Sequence, residues 1–118
     1  MDENNFLKQK YLESKNKEEI LSSIYTLNNP YDIIEIAIWL INIESEKENG
    51  LKIMAETYTK FDTTDKIGYE ICDIISQYIF YEGSEKTLRY LNSRLKTEKN
   101  KNKHHAFDRL IVILKSKF

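Results

Sequence analysis

The sequence of 118 residues is poor in the residues that build disulfides, tight turns and phosphate-binding loops. Its single cysteine, Cys72, excludes an intramolecular disulfide framework and cannot form a cysteine metal site by itself. Three glycines and one proline leave little material for β-hairpins or for a glycine-rich loop around a phosphate. Lys, Glu, Leu and Ile are abundant and recur at helical spacing. The sequence therefore predicts an all-α protein.

Catalytic and cofactor-binding motifs are also missing. There is no Gly-x-Ser-x-Gly nucleophile turn, no Walker loop, no dinucleotide fingerprint and no Cys/His arrangement typical of a nucleophile. The two histidines, His104 and His105, are adjacent, so on a helix they would point about 100° apart and would need further ligands. We therefore predict a protein that is not an enzyme and that binds no cofactor or metal ion.

Long hydrophobic runs are absent as well. The longest unbroken apolar run, Ile36 to Ile41, is far shorter than the roughly 20 residues that span a bilayer as a helix. Met1 to Asn5 have neither the basic nor the apolar region of a secretion signal. We expect a cytoplasmic protein without membrane contact, folded as one domain over residues 1–118, since this length suffices for a single core.

Seven antiparallel helices are predicted from the spacing of apolar residues and from capping residues. They run from about Glu3 to Ser14, from an Asn16 cap to Leu27, from an Asn29 cap to Ile43, from Leu51 to Phe61, from a Thr63 or Thr64 cap to Phe80, from a Ser84 cap to Leu95, and from His105 to Lys117. A turn at Asn49-Gly50, a helix end at Gly83 and a solvated loop over Lys96 to Lys103 separate them. We expect HEAT-like helical hairpins or a compact helical bundle.

The third predicted helix is the most hydrophobic segment of the chain. Asn29 can cap its start, and Pro30 suits its first position because the missing N–H is not needed there. Beyond the first turn it reads IAIWLINI, which leaves almost no polar face. A helix of this kind must be covered on several sides, so we expect it at the centre of the fold with Trp39 in the core.

A weak internal repeat favours stacked helical hairpins. At a fixed offset of 38 residues the chain places an aromatic residue before an acidic one three times, in Tyr31-Asp32-Ile33, Tyr69-Glu70-Ile71 and Phe107-Asp108-Arg109. Ile36, Ile74 and Val112 coincide at the same offset. Periods in this range belong to HEAT-like solenoids, in which each helix pair buries its face against the next pair. If the similarity is coincidence, an antiparallel bundle remains the prediction.

The charge is distributed unevenly along the chain. Residues 1–85 hold 8 Lys/Arg against 17 Asp/Glu, whereas residues 86–118 hold 10 against 2, so the balances are −9 and +8. Such an asymmetry is typical either of a solvated surface or of a binding face of one sign. The basic third predicts phosphate contacts in one alternative, through Arg89, Arg94, Lys96, Lys99, Lys101, Lys103 and Arg109.

The acidic part of the chain provides the leading candidate for a binding surface. Many of its carboxylates fall in predicted loops or first helical turns, where a hairpin stack would gather them along one edge, with tyrosines beside them. Carboxylates steer a cationic partner, and tyrosines supply contact area at small entropic cost. The predicted partner-binding residues are Tyr31, Asp32, Glu35, Glu46, Glu48, Asp65, Tyr69, Glu70, Asp73 and Glu82.

In size and plan the chain resembles the small all-α, HEAT-like immunity proteins encoded beside bacterial polymorphic toxins, including contact-dependent growth inhibition systems. The residues that carry this resemblance are Tyr31-Asp32, Tyr69-Glu70, the apolar stretch from Ala37 to Ile43, and the acidic edge. The resemblance implies a cytoplasmic, non-enzymatic antitoxin that binds a cognate toxin protein, such as a basic nuclease domain, and binds no nucleic acid itself. The alternatives are a nucleic-acid-binding regulator that uses the basic third, and a helical-repeat adaptor.

Overall fold

The computed structural model describes residues 3–62 and 65–116, and all regular structure in this part of the chain is helical. Among these residues lie α1 (Glu3–Glu13), α2 (Lys17–Tyr25), α3 (Pro30–Ile41), a 3₁₀ turn (Glu44–Glu46), α4 (Lys47–Phe61), α5 (Lys66–Thr97) and α6 (Lys101–Ser116). The predicted all-α class is confirmed. The predicted positions Met1, Thr63, Thr64 and Lys117 fall outside the described residues.

The described part is a compact globule that measures 38 × 29 × 28 Å along its principal axes. Its core is built around α3 and α4, because α3 contacts α1, α2, α4 and α5, whereas α4 contacts α3, α5 and α6. Burial of a large apolar side chain contributes about 1.5–3 kcal/mol. The large apolar side chains that are essentially inaccessible to solvent include Ile33, Ile36, Leu40, Ile53, Met54, Ile71, Ile75, Ile79, Leu91 and Phe107.

The third predicted helix forms as α3, but α4 shares the central position with it. Asn29 caps α3 as predicted, since its Oδ1 accepts a hydrogen bond from the Tyr31 N–H at 2.9 Å, and Pro30 is its first residue. Trp39 is only partly buried and lies edge-on to the ring of Tyr11, with a centroid distance of 6.4 Å. The prediction that Trp39 lies in the core is therefore met only in part.

The predicted turn at Asn49-Gly50 is wrong, because both residues lie inside α4, which begins at Lys47 rather than at Leu51. Gly50 is buried where α4 crosses α3. A Cβ atom on Gly50 would lie 2.7 Å from the carbonyl oxygen of Ala37 and 2.9 Å from the backbone nitrogen of Ile41. The glycine therefore serves the close approach of two helices and not a change of chain direction.

The fifth and sixth predicted helices form one helix, α5, with a kink at Gly83. The φ of 178° and ψ of 54° at Gly83 are not helical, but helical hydrogen bonding continues on both sides, so the described residues hold six α-helices instead of seven. A Cβ atom on Gly83 would lie 2.6 Å from Leu51 Cδ1. The bend thus receives the Leu51 side chain of α4.

The helix ends around α5 and α6 also differ from the prediction. Asp65 caps α5, since its Oδ1 accepts a hydrogen bond from the Gly68 N–H at 2.8 Å. The loop predicted over Lys96 to Lys103 is reduced to residues 98–100, because α5 continues to Thr97 and α6 begins at Lys101. Asn100 Oδ1 accepts from the N–H of Lys103 at 3.1 Å and so satisfies the first turn of α6.

Burial at the repeat positions does not follow the 38-residue offset. Tyr31 and Tyr69 are 43% and 76% exposed, whereas the equivalent Phe107 is fully buried. Ile36 is likewise fully buried, whereas the equivalent Val112 is 64% exposed. Residues that match in sequence therefore occupy different environments.

Among the described helices, none is both long enough and apolar enough to cross a membrane.

Candidate functional site

The predicted partner-binding residues divide into a group held by contacts within the chain and a group open to solvent. Asp32 and Glu35, in the first turns of α3, belong to the first group. The Asn4 amide of α1 donates to Asp32 Oδ1 at 3.1 Å and to Glu35 Oε2 at 2.7 Å, and Lys8 Nζ lies 3.3 Å from Glu35 Oε1. Side chains of α1 therefore bind both carboxylates, although the Glu35 side chain stays 56% exposed.

Glu46 is also engaged within the chain. Its Oε2 accepts hydrogen bonds from the Tyr11 hydroxyl at 2.5 Å and from the Asn49 amide at 3.1 Å. Burial and the bond to Glu46 raise the pKa of Tyr11 to about 12. Because Tyr11 is fully buried, this carboxylate anchors α1 to the start of α4.

Two further predicted residues have local roles. Asp65 caps α5 through the bond to the Gly68 N–H. Glu48 lies 3.5 Å from Lys52, one turn along α4, in a groove that also contains the cations Lys86 and Arg89. Glu48 is exposed, but its surroundings are basic. Asp65 thus serves the start of α5, and Glu48 lies among cations.

The other predicted residues lie on or beside the first half of α5. Tyr31 reaches from the start of α3 to Glu70 near the start of α5. Loss of hydration, the charge of Glu70 and a hydrogen bond to Glu70 raise the pKa of the Tyr31 hydroxyl. The structure thus brings together two residues that the repeat comparison had treated as equivalent starts of separate helices.

The exposed side of the first half of α5 forms a stripe that we call the tyrosine-acid face. Its residues recur every four positions in two adjacent rows, which places them along one side of the helix. Tyr69 and Tyr81 are 76% and 78% exposed, and the groove along the helix ends at Tyr81 and Glu82. The face consists of Tyr69, Glu70, Asp73, Ile74, Gln77, Tyr78, Tyr81 and Glu82.

Charge on this face has one sign. Glu70, Asp73 and Glu82 are acidic, and the chain has no Lys or Arg between Ile67 and Glu85. The nearest cation to Glu82 is Lys47 of α4, at 4.0 Å and at the edge of the face. Because the carboxylates alternate with large aromatic side chains, the face combines charge with contact area.

A larger cleft of about 660 Å³ lies on another side of the molecule, where α2, α4, α5 and α6 meet. Within it, Glu56 Oε2 accepts hydrogen bonds from the Tyr90 hydroxyl and from Arg94 Nε, both at 2.9 Å, and Glu56 Oε1 lies 3.3 Å from Lys103 Nζ. Burial would raise the pKa of Glu56, but the bonds from Arg94 and Tyr90 and the charges of Arg94 and Lys103 outweigh it and lower the pKa. Glu56 therefore stays ionised and serves as the anchor of an ion network.

Several of the predicted basic residues form ion pairs with carboxylates of the same chain. Arg94 and Lys103 pair with Glu56, and Arg109 Nη2 and Nε contact Asp62 Oδ2. The predicted residues that make no ion pair with the described part of the chain are Lys96, Lys99 and Lys101. The predicted basic residues without an ion pair are thus three exposed lysines near residues 98–100.

The two histidines differ in their surroundings. His104 Nε2 lies 3.1 Å from the Leu95 carbonyl oxygen, and His104 Nδ1 lies 3.8 Å from Asp108. His105 is exposed. Within residues 3–62 and 65–116, no three His, Cys, Asp or Glu side chains converge as a metal site would require.

The predicted partner-binding residues do not include Tyr81 of this face, nor do they include Ile74, Gln77 and Tyr78. The signal for the last three was present, because they stand four residues from Glu70, Asp73 and Ile74 along a predicted helix. Ile74 and Tyr78 lie in a long apolar pattern, so residue type alone does not distinguish them from the buried residues of the same helix. Both prove to be partly buried and accessible from the groove.

Comparison with protein-family models, with curated proteins and with solved structures finds no match to this chain.

Proposed function

We propose that the chain is an immunity protein that binds and neutralises a cognate bacterial toxin domain through the tyrosine-acid face. The observation that carries this proposal is the pair of exposed tyrosines, Tyr69 and Tyr81, with Asp73 between them on a stretch of α5 that has no Lys or Arg from Ile67 to Glu85. In this proposal the protein acts in the cytoplasm without catalysis or cofactor. The packing of α3 on α4, α4 on α5 and α5 on α6 is interpreted as a set of HEAT-like hairpins.

The chemistry of the face suits a cationic protein surface. Exposed tyrosines are common at the energetic centre of protein interfaces, because the ring buries a large area and the hydroxyl forms hydrogen bonds. Carboxylates beside them raise the association rate with a positively charged partner and discriminate against partners of the wrong sign. Tyr69 and Tyr81 are each more than 75% exposed and line two neighbouring concavities, and Asp73 belongs to both.

A nuclease toxin is the partner class that this chemistry fits best. A nuclease holds phosphates in a cleft lined by Lys and Arg, so its active site is a concave cationic surface. Carboxylates on a convex helix present negative charge to such a cleft and compete with the nucleic acid. The helix α5 is rigid over this half, because Ile71, Ile75 and Ile79 on its inner side are fully buried.

The nucleic-acid-binding alternative has less support. Its arginines Arg94 and Arg109 are paired with Glu56 and Asp62, which leaves Arg89, in an exposed pair with Glu85, and the three unpaired lysines for phosphate contacts. Each phosphate contact contributes to the salt dependence of binding, so a small patch predicts weak, strongly salt-sensitive association. A filter-binding titration with DNA and RNA that shows tight association at physiological salt would favour this alternative. An adaptor function differs from the proposal only in the identity of the partner.

The proposal is tested by co-expressing the chain with the protein encoded by the neighbouring open reading frame in a bacterial host. We expect that protein to arrest growth, and we expect the chain to restore growth and to co-purify with it. The variant carrying Tyr69→Ala and Asp73→Lys should lose protection, whereas the matched variant carrying Lys96→Glu and Lys99→Glu should keep it. A neighbouring protein that is harmless and unbound, or protection by both variants, would refute the proposal.

A further inference from the structure

A pocket of about 230 Å³ opens beside the tyrosine-acid face, at the end where α5 begins. It lies between α4, α5 and α6. It has aromatic, carboxylate and small polar groups in its wall and no Lys or Arg among the lining residues. The lining consists of Tyr58, Asp62, Tyr69, Cys72, Asp73, Ser76 and Ile113.

The two carboxylates of the pocket differ in what they contact. Asp62 is paired with the guanidinium of Arg109, whose Nε lies 2.7 Å from Asp62 Oδ2. Asp73 has only a neutral partner among the described side chains, the Gln77 amide, which donates to Oδ2 at 3.1 Å. The chain thus already neutralises one carboxylate with a guanidinium and leaves the other without a cation.

The Tyr58 hydroxyl is a second group that points to a ligand. Tyr58 is 3% exposed, and its hydroxyl has no hydrogen bond with the described residues. Among the described residues, every side-chain oxygen or nitrogen that is fully enclosed has a hydrogen-bond partner. The Tyr58 hydroxyl has none, so it must keep some accessible surface. Tyr58 lines this pocket, so we infer that its hydroxyl is accessible from the pocket. Burial and the charge of Asp62 raise the pKa of Tyr58 to about 12, so the group is neutral and can accept a hydrogen bond.

We propose that this pocket receives one arginine side chain of the toxin partner. A guanidinium would form charge-assisted hydrogen bonds with Asp73 and with the Tyr58 hydroxyl, while its plane lies against the Tyr69 ring. This inference rests on the proposed function, since it names the group that anchors the partner to the tyrosine-acid face. A buried arginine in a pocket with an aromatic wall is a common source of dominant binding energy at interfaces.

The test uses Nα-acetyl-L-arginine amide as the probe, titrated into the ¹⁵N-labelled chain and followed by NMR. We expect saturable shifts of the backbone amides of Cys72, Asp73, Ser76 and Ile113, with millimolar affinity because only one side chain binds. The matched probe is Nα-acetyl-L-citrulline amide, which has the same shape without the charge. Equal shifts with citrulline, or no saturable shifts at these amides, would overturn the proposal.

Two variants separate the pocket from general electrostatics. Asp73→Asn removes the charge at an exposed position and should weaken arginine binding about tenfold. Tyr58→Phe removes only the hydroxyl and should weaken binding by a smaller factor. Glu48→Gln, an exposed carboxylate outside the face, should leave the titration unchanged. A titration that weakens equally in Glu48→Gln and Asp73→Asn would overturn the proposal.

The test of the pocket and the test of the immunity function can fail independently of each other. If the chain protects against the neighbouring toxin but the pocket does not distinguish arginine from citrulline, the pocket assignment fails and the immunity function stands. If the pocket binds arginine selectively but the neighbouring protein is neither toxic nor bound, the immunity function fails and the pocket remains an arginine site.

Discussion

The guanidinium of Arg94 donates two hydrogen bonds to the carboxylate of Glu56, from Nε at 2.9 Å and from Nη2 at 3.3 Å. These bonds join α5 to α4, and Lys103 joins α6 to the same carboxylate at 3.3 Å. Arg94 also lies over the ring of Phe107, with a distance of 5.1 Å to the centroid. A residue that sequence analysis assigned to a basic binding surface is therefore part of the contact between three helices.

Replacing Glu56 with Gln should destabilise the protein by about 1–3 kcal/mol, because Arg94 and Lys103 lose the closer of their two counter-charges in a partly enclosed site and keep only Glu98, at 3.7 and 3.9 Å. The pKa of Glu56 is lowered in the folded state, so its contribution is present above the ordinary value of 4.5 and is lost as the pH falls through the folded pKa. Urea unfolding between neutral pH and pH 3 should therefore show a steeper acid loss of stability for the wild type than for Glu56→Gln.

The matched control is Glu85→Gln. Glu85 pairs with Arg89 at 3.9 Å, one turn along α5, and both side chains are largely exposed. An exposed pair of this kind contributes about 0.5 kcal/mol or less. If both variants lose the same stability, the network around Glu56 has no special role in the fold.

Gly50→Ala should destabilise the protein by about 1–3 kcal/mol, although alanine is the better helix former. The added Cβ would lie 2.7 Å from the Ala37 carbonyl oxygen, and backbone cannot move aside without separating α3 from α4. Gly83→Ala is the comparison, because its nearest neighbour is the end of the flexible Leu51 side chain at 2.6 Å. Urea unfolding should rank Gly50→Ala as the more harmful change, and the reverse order would contradict the packing described.

Trp39→Ala should cost about 1–3 kcal/mol, which is less than the loss of about 3–5 kcal/mol expected for a fully buried tryptophan. The indole covers part of the core and holds α1 through its edge contact with Tyr11. Circular dichroism is the suitable measurement, because the variant has no tryptophan for fluorescence. Tyr69→Ala, at a position 76% exposed, should change stability by about 0.5 kcal/mol or less. A Trp39→Ala loss as small as that of Tyr69→Ala would show that Trp39 does not hold α1.

Cys72 should react slowly with Ellman's reagent in the folded protein. Burial and the charge of Asp62 raise the pKa of the Cys72 thiol to about 12, and the thiolate is the reactive form. At pH 8 the rate should rise by at least about tenfold in concentrated guanidinium chloride, after correction with N-acetylcysteine in the same two solutions. A corrected rate that is equal in both solutions would mean that Cys72 is not enclosed.

Local features of the fold could be predicted, and features that depend on distant contacts could not. The caps at Asn16 and Asn29 were readable because each side chain bonds an N–H two or three residues ahead. Gly50 was misread as a turn because its reason, the backbone of α3, lies outside its own helix. A break at Gly83 could be predicted, and its φ and ψ are indeed not helical, but the Leu51 side chain of α4 that fills the bend could not be predicted.

The candidate site shows the same division. Tyr69 and Asp73 were predicted from residue type, and the structure leaves both exposed. Asp32 and Glu35 are carboxylates three residues apart, as Glu70 and Asp73 are, but the Asn4 amide of α1 donates hydrogen bonds to both. Sequence spacing along one helix cannot show which carboxylates another helix will cover.

The most direct test is the affinity of the chain for the protein encoded beside it, measured by isothermal titration calorimetry at physiological salt. We predict that the double variant Tyr69→Ala and Asp73→Lys binds at least about thirtyfold more weakly than the wild type, because it loses an aromatic anchor and reverses a charge on the tyrosine-acid face. The double variant Lys96→Glu and Lys99→Glu should bind with unchanged affinity. Equal affinity for the wild type and the face variant, or a loss confined to the lysine variant, would contradict the assignment of the tyrosine-acid face.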